Sequence, residues 1–133
     1  MIYIACPYTD ESSVIQEQRY AESCRAASLL MRAGIAVYNP LAQTVTAIAA
    51  GLSLTYEKYL ELDTEALSRC SEMIVLLLPG WENSVGVHRE MEVAAKLQKR
   101  VTLVPEGLIE DLPYVLGGPV ATKLKFELLR NDA

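Results

Sequence analysis

The chain has 133 residues, 51% of them hydrophobic and 22% charged, which suits one domain with a substantial core. A net charge of −5 and the lack of any Lys/Arg-rich run argue against a nucleic-acid polymer as partner. No apolar run approaches the roughly 18 residues of a membrane span, and three scattered cysteines with one histidine make neither a disulfide framework nor a zinc pattern.

The opening residues, Met1-Ile2-Tyr3-Ile4-Ala5, are too short and too poor in basic flanks for a secretory signal. They read as a buried strand over residues 2–6, broken by Pro7, in a protein expected in the cytoplasm. Residues 8–13 are polar, with helix-capping side chains. A helix is expected over 14–32, where Tyr20, Cys24, Ala27 and Met31 recur at helical spacing, with Ala33-Gly34 to end it. Residues 35–38 form the second strand, stopped by Asn39-Pro40.

Residues 41–54, rich in Ala, Thr and Gly, show no clean period. They read as a long connection with room for a short helical stretch, and long connections at strand ends are often functional. A second helix spans 55–70, a third strand 73–78, a third helix 84–99 and a fourth strand 101–104. Residues 105–119 read as loop, and 121–130 as a last helix.

Strands alternating with helices predict a parallel sheet with right-handed crossovers and helices on both faces. The expected architecture is a single α/β domain over residues 1–133, flavodoxin-like (Rossmann-like), with four to five strands in the order 2-1-3-4(-5). Its switch point lies between the first and third strands. Residues Cys6, Pro7, Tyr8 and Thr9 would then face the stretch from Pro79 to Gly86 across the mouth of a site.

That second stretch is the most informative in the chain. An apolar run stops at Pro79-Gly80, and a helix begins near Ser84, whose first N–H groups are free to meet a ligand. Glu90 lies less than two turns into that helix, and helical side chains lean toward the N-terminus, so its carboxylate points back toward the strand end. An acid early in a helix also simply favours the positive end of the dipole. His88, about 200° round the helix from Glu90, faces elsewhere, and Glu82 and Glu92 read as solvated.

Asp63 is the second anomaly, because it falls within the apolar stripe of Tyr59, Leu60, Ala66, Leu67 and Cys70. An acid there either borders a cavity with a raised pKa, as suits a proton donor, or accepts hydrogen bonds from a neighbouring loop. Tyr3 carries a polar tip in an apolar strand, so its hydroxyl needs a partner. A carboxylate at the neighbouring strand end could supply it, unless Tyr3 is an ordinary core aromatic. Cys6 is a nucleophile or a small buried filler, and the chain offers no evident histidine partner.

These residues together resemble the nucleoside 2-deoxyribosyltransferase-like superfamily, which includes deoxynucleotide N-hydrolases and uncharacterised phage and bacterial members. The resemblance covers most of the chain. It rests on Tyr3-Ile4-Ala5, the turn and strand from Gly34 to Pro40, Asp63 followed by Cys70-Ser71-Glu72-Met73, and the Ser84-x-Gly86-x-x-x-Glu90 junction. It implies that Glu90 attacks the anomeric carbon, Asp63 assists departure of the base or orients the sugar, and Tyr3 hydrogen-bonds the nucleophile. Ser84 and Gly86 would cradle a 5′-hydroxyl or 5′-phosphate. Pro7 belongs to the first loop, and Asn39 and Gln43 are the candidate base readers. No metal and no cofactor are implied. Cys6-Pro7-Tyr8-Thr9 departs from the glycine, serine and arginine that the family's nucleotide hydrolases set around phosphate.

The expected function is hydrolysis or base transfer at the N-glycosidic bond of a nucleoside or nucleotide. The alternatives are a nucleotide-sensing module, in which both acids merely bind ligand, and an interaction domain with a vestigial pocket. The apolar residues Leu41, Val45, Ile48 and Leu52, with Tyr56 and Tyr59 following, read as an exposed patch. Since superfamily members are oligomeric, the resemblance implies a homodimer or homotetramer built beside Asp63.

Overall fold

Strand β1 (Ile2–Ala5) is buried at every residue, as befits a strand covered on both faces of a parallel sheet. The computed structural model describes residues 1–116. Within them β1 lies between β2 (Val37–Tyr38) and β3 (Glu72–Leu77), in register Ile2 with Val37 and Glu72, and Tyr3 with Tyr38 and Met73. β4 (Arg100–Pro105) pairs with the far side of β3, so the sheet is all parallel in the order β2-β1-β3-β4. This is the expected flavodoxin-like order. The helix expected over 121–130 lies outside the described residues.

The pleat sorts the core into two layers. Ile2 and Ile4 pack with Ala26, Ala27 and Leu30 of α1 (Ser13–Arg32), together with Ile74 and Leu76. Tyr3 and Ala5 point the other way, among Leu67 of α3 (Tyr56–Ser68) and Val87 and Ala94 of α4 (Val85–Lys96). On α1 the buried stripe is Arg19, Ser23, Ala26, Ala27 and Leu30; its small residues let the helix approach the sheet closely. Ser12 caps α1 by accepting from the Ile15 amide, and Gly34 leaves it at φ +82°.

Two expectations shift. The second strand shortens to Val37–Tyr38 because it is a sheet edge with only β1 to pair with, and helix begins directly after it. The segment over 41–54, read as a long connection with room for a short helical stretch, is mostly helix: α2 (Pro40–Ala49), with Asn39 at its N-cap. Pro40 sits at the first helical position, where its missing N–H costs nothing. Pro40 and Leu41 are the buried residues of α2, so the helix rests on the domain by one end and needs no continuous apolar stripe. Ile48, Leu52, Leu54, Tyr56 and Leu62 leave apolar surface along α2, its exit loop and α3. Among the described residues no helix is long and apolar enough to cross a membrane.

Candidate functional site

At the C-terminal ends of β1 and β3 an open pocket of about 490 Å³ lies between the first loop, α2, α3 and the start of α4. That is the size range of small-molecule sites, and the switch point is where such sites fall in open α/β sheets. Glu90 and Asp63 both line it.

Glu90 reaches this position because Ser84 starts α4 on the rim, its hydroxyl accepting from the Val87 amide at 3.3 Å. One and a half turns later, Glu90 follows the buried Val87 and precedes the buried Ala94, on the inward side of the helix. Its carboxylate Oε2 accepts a hydrogen bond from the hydroxyl of Tyr3, 87 residues away in sequence. Tyr3 is fully buried, and its ring stacks on Tyr38 with centroids 5.8 Å apart. The strand thus supplies one fixed donor to one carboxylate oxygen.

Three acidic groups share this space, and burial is the first cause of the shift in each. Burial pushes the Glu90 carboxyl up to about 8; the hydrogen bond from Tyr3 acts against that rise, and the nearby charge of Asp63 adds to it. Burial also lifts Asp63 to about 6. The Tyr3 phenol is driven far above its ordinary value, by burial first and then by the charges of Glu90 and Asp63, so it stays a hydrogen-bond donor. Among the described residues no protein hydrogen bond reaches the Asp63 carboxylate, although it is half-buried. Of the two readings open for Asp63, an acid bordering a cavity is therefore the one that fits. A raised carboxyl of that kind can hold or give a proton near neutrality.

The remaining walls differ in character. Ser84, Val85 and Gly86 form one side, with Thr9 and Tyr8 opposite. The amides of Val85 and Gly86 belong to the first turn of α4, which has no helical acceptor for them. Toward α2 and α3 the lining is Leu41, Thr44, Tyr56 and Tyr59, a surface suited to a flat ring. Arg89 lies 6.0 Å over the Tyr56 ring and braces α3 against α4. No Lys, Arg or His is among the described residues of the lining, whose charged groups are the two carboxylates.

Ser84, Gly86, Glu90, Asp63 and Tyr3 thus come together as expected. Pro7, Asn39 and Gln43 do not line the pocket. Pro7 is buried beneath the first loop. Asn39 turns its amide back to donate to Ser23 of α1 at 3.1 Å, as suits a residue at the foot of α2. Gln43 accepts from the Tyr38 hydroxyl at 3.0 Å and faces a shallow outer groove with Thr46 and Leu52, because it lies on the outward side of α2. Cys6 does line the pocket, but burial, with the charge of Glu90 second, pushes its thiol up to about 12. A thiol held protonated is a poor nucleophile, which favours the reading of Cys6 as a small buried filler. His88 binds the Glu82 carbonyl at 2.7 Å and stacks on Trp81, holding the turn ahead of α4.

Sequence reasoning missed Thr44, whose helix it had not resolved; it placed Tyr56 and Tyr59 on an exposed apolar patch and not on a pocket wall, and it missed Arg19. The signal for Arg19 was present: it precedes Ser23 by four residues on the buried stripe of α1, the same anomaly that singled out Asp63.

Residues 1–106 match the model of a family described as a domain of unknown function, DUF1937. No curated protein matches the chain.

Proposed function

The chain belongs to the DUF1937 family, and we propose that it cleaves the N-glycosidic bond of a nucleoside, by hydrolysis or base transfer, with Glu90 as nucleophile. The observation that carries this reading is the Tyr3 hydroxyl bound to one oxygen of Glu90, in a pocket that Asp63 also enters. One oxygen is held by the sheet while the other is free to attack. On this reading the family is a relative of the nucleoside 2-deoxyribosyltransferase-like superfamily.

The chemistry follows from the groups present. Cleavage of a glycosidic bond passes through an oxocarbenium-like state, which a carboxylate beneath the sugar stabilises and can trap. Glu90 forms a bond to C1′ as the C1′–N bond breaks, and the bonding pair leaves with the base. Asp63 delivers a proton to that departing nitrogen. Water, deprotonated by Asp63, then attacks C1′ and frees Glu90; a second base doing the same gives transfer. Tyr3 first fixes Glu90 and then accompanies its oxygen through both steps, a role that needs no change in its protonation.

The lining supports a nucleoside in preference to its 5′-monophosphate. Two carboxylates and no cation among the described residues would oppose a dianion, whereas a 5′-hydroxyl can meet the Val85 and Gly86 amides. The base would lie against Tyr56 and Tyr59. Incubation with a panel of ribo- and 2′-deoxynucleosides and their 5′-monophosphates, followed by chromatography for free base, tests this reading. Base should appear from nucleosides, and Glu90→Gln should lower the rate by about 10²–10⁴-fold while leaving binding intact. Binding with no release of base from any member of the panel would replace the enzyme reading with that of a sensing module.

A further inference from the structure

Arg19 is 8% exposed, and its one carboxylate contact among the described residues, a partly exposed Asp10, stands at the 4.0 Å outer limit of an ion pair. The guanidinium is spent on backbone carbonyls instead. Nη1 donates to Tyr8 O at 3.3 Å and Thr9 O at 3.0 Å, and Nη2 donates to Pro79 O at 2.8 Å. Tyr8 and Thr9 belong to the loop after β1, and Pro79 to the turn after β3. One side chain of α1 therefore ties together the two strand exits that flank the pocket.

Gly80 gives independent support. It stands at φ +90°, and a Cβ built there would lie 2.6 Å from Arg19 Nη2. The turn is shaped around the guanidinium, and a side chain at that position would push it out. Burying a cation against neutral carbonyls is costly compared with an apolar side chain of similar volume. What the cation supplies is a forked, rigid link with several donors at fixed angles, which neither an apolar residue nor lysine can reproduce.

The two tied segments lead directly into opposite pocket walls: Tyr8 and Thr9 on one side, and Asn83, Ser84 and Gly86 on the other. Their separation decides where a sugar can sit above Glu90. We propose that Arg19 is a positioning residue that sets the spacing between the first loop and the start of α4, and so holds the 5′ end of the nucleoside while Glu90 meets C1′. This rests on the N-glycosidase reading. Arg19 itself lies behind the walls and does not line the pocket.

The test is a cycle between enzyme and substrate. Wild type and Arg19→Lys are assayed for release of base from adenosine and thymidine, each beside its 5′-deoxy analogue, with global stability measured by urea melts. Lysine keeps the charge but cannot bridge both loops. The expected result is a loss of about tenfold or more in kcat/KM for the 5′-hydroxyl substrates, in keeping with the sensitivity of rate to small misplacements. The 5′-deoxy substrates should change less than about threefold. Equal losses for both would show a merely structural role and overturn the proposal. Gly80→Ala, which crowds the same guanidinium from the other side and also strains the turn at φ +90°, should reproduce the pattern of selective loss and serves if Arg19→Lys does not fold. Wild type that releases no base from any of the four would overturn the N-glycosidase reading itself, and the positioning role with it.

Discussion

Replacing Glu90 with glutamine should stabilise the protein, and by an amount that depends on pH. In the fold the Glu90 carboxyl is raised from 4.5 to about 8, chiefly by burial. Between those values the unfolded chain has lost a proton that the folded chain keeps, so this group's contribution falls as pH rises through the window and is level above it. At about 1.4 kcal/mol per unit of pKa, the full cost of ionising Glu90 in place has an upper bound of about 5 kcal/mol. Glu90 borders an open pocket, and water there screens the charge, so roughly half of that bound is expected to survive. Glutamine removes the cost and still offers Tyr3 a carbonyl acceptor. The difference between Glu90→Gln and wild type should therefore be near zero at about pH 5, intermediate at pH 7, and about 2–3 kcal/mol in favour of the variant at pH 9. Urea melts at the three pH values, read as shifts in midpoint at constant slope, measure it directly. A difference that stays flat with pH, or a variant less stable than wild type at pH 9, would refute the reasoning. Glu90 would then be an acid that its surroundings hold comfortably ionised.

Asp63→Asn should lose activity yet leave stability at neutral pH within about 1 kcal/mol or raise it, because no protein donor is left without its acceptor. A destabilisation of about 1–3 kcal/mol would mark Asp63 as a structural acceptor instead. The pH profile of kcat/KM should be a bell with limbs near 6 and 8, the values to which Asp63 and Glu90 are raised; the limbs belong to the pair, which must hold one proton between its two members. The productive form is the minor one that carries it on Asp63 and leaves Glu90 ionised. A profile flat from pH 5 to 9 would exclude that shared proton. Light scattering at micromolar concentration should give at least twice the 14.7 kDa chain mass, since Ile48, Leu52, Tyr56 and Leu62 expose apolar surface beside the pocket. A mass of one chain would leave that surface as the outer side of a lid.

What the sequence revealed follows from how locally each feature is encoded. Period and punctuation defined β1, β3, β4 and the long helices, and alternation of helix with strand implied the parallel order. Asp63 stood out because an acid on an apolar stripe is a local contradiction, and Glu90 because it lies early in a helix that starts at a strand end. Helix α2 was obscured because only its first turn is buried, so no stripe existed to be read. Asn39 and Gln43 entered as candidate base readers through the family resemblance, but their directions depend on packing against Ser23 and Tyr38. Arg19 carried the same contradiction as Asp63. Its meaning lay in carbonyls of two loops, one of them 60 residues away, and backbone acceptors leave no trace in side-chain identity.

The alternation of β1 has a consequence for which changes of length the protein can tolerate. Tyr3 faces α4 while Ile2 and Ile4 face α1. Adding or deleting one residue ahead of Tyr3 within the paired stretch would rotate the phenol to the α1 side and put an aliphatic chain beneath Glu90. Such a change would leave composition and β-propensity almost untouched, yet it would strip the carboxylate of the hydroxyl that donates to it and bury that hydroxyl where the core is aliphatic. Gains and losses of single residues must therefore be absorbed outside the sheet, in the loop before α1 or the exposed link between α2 and α3. Point substitutions, by contrast, can be borne one at a time. The spacing of the first strand is therefore the part of this sequence with the least freedom to change in length.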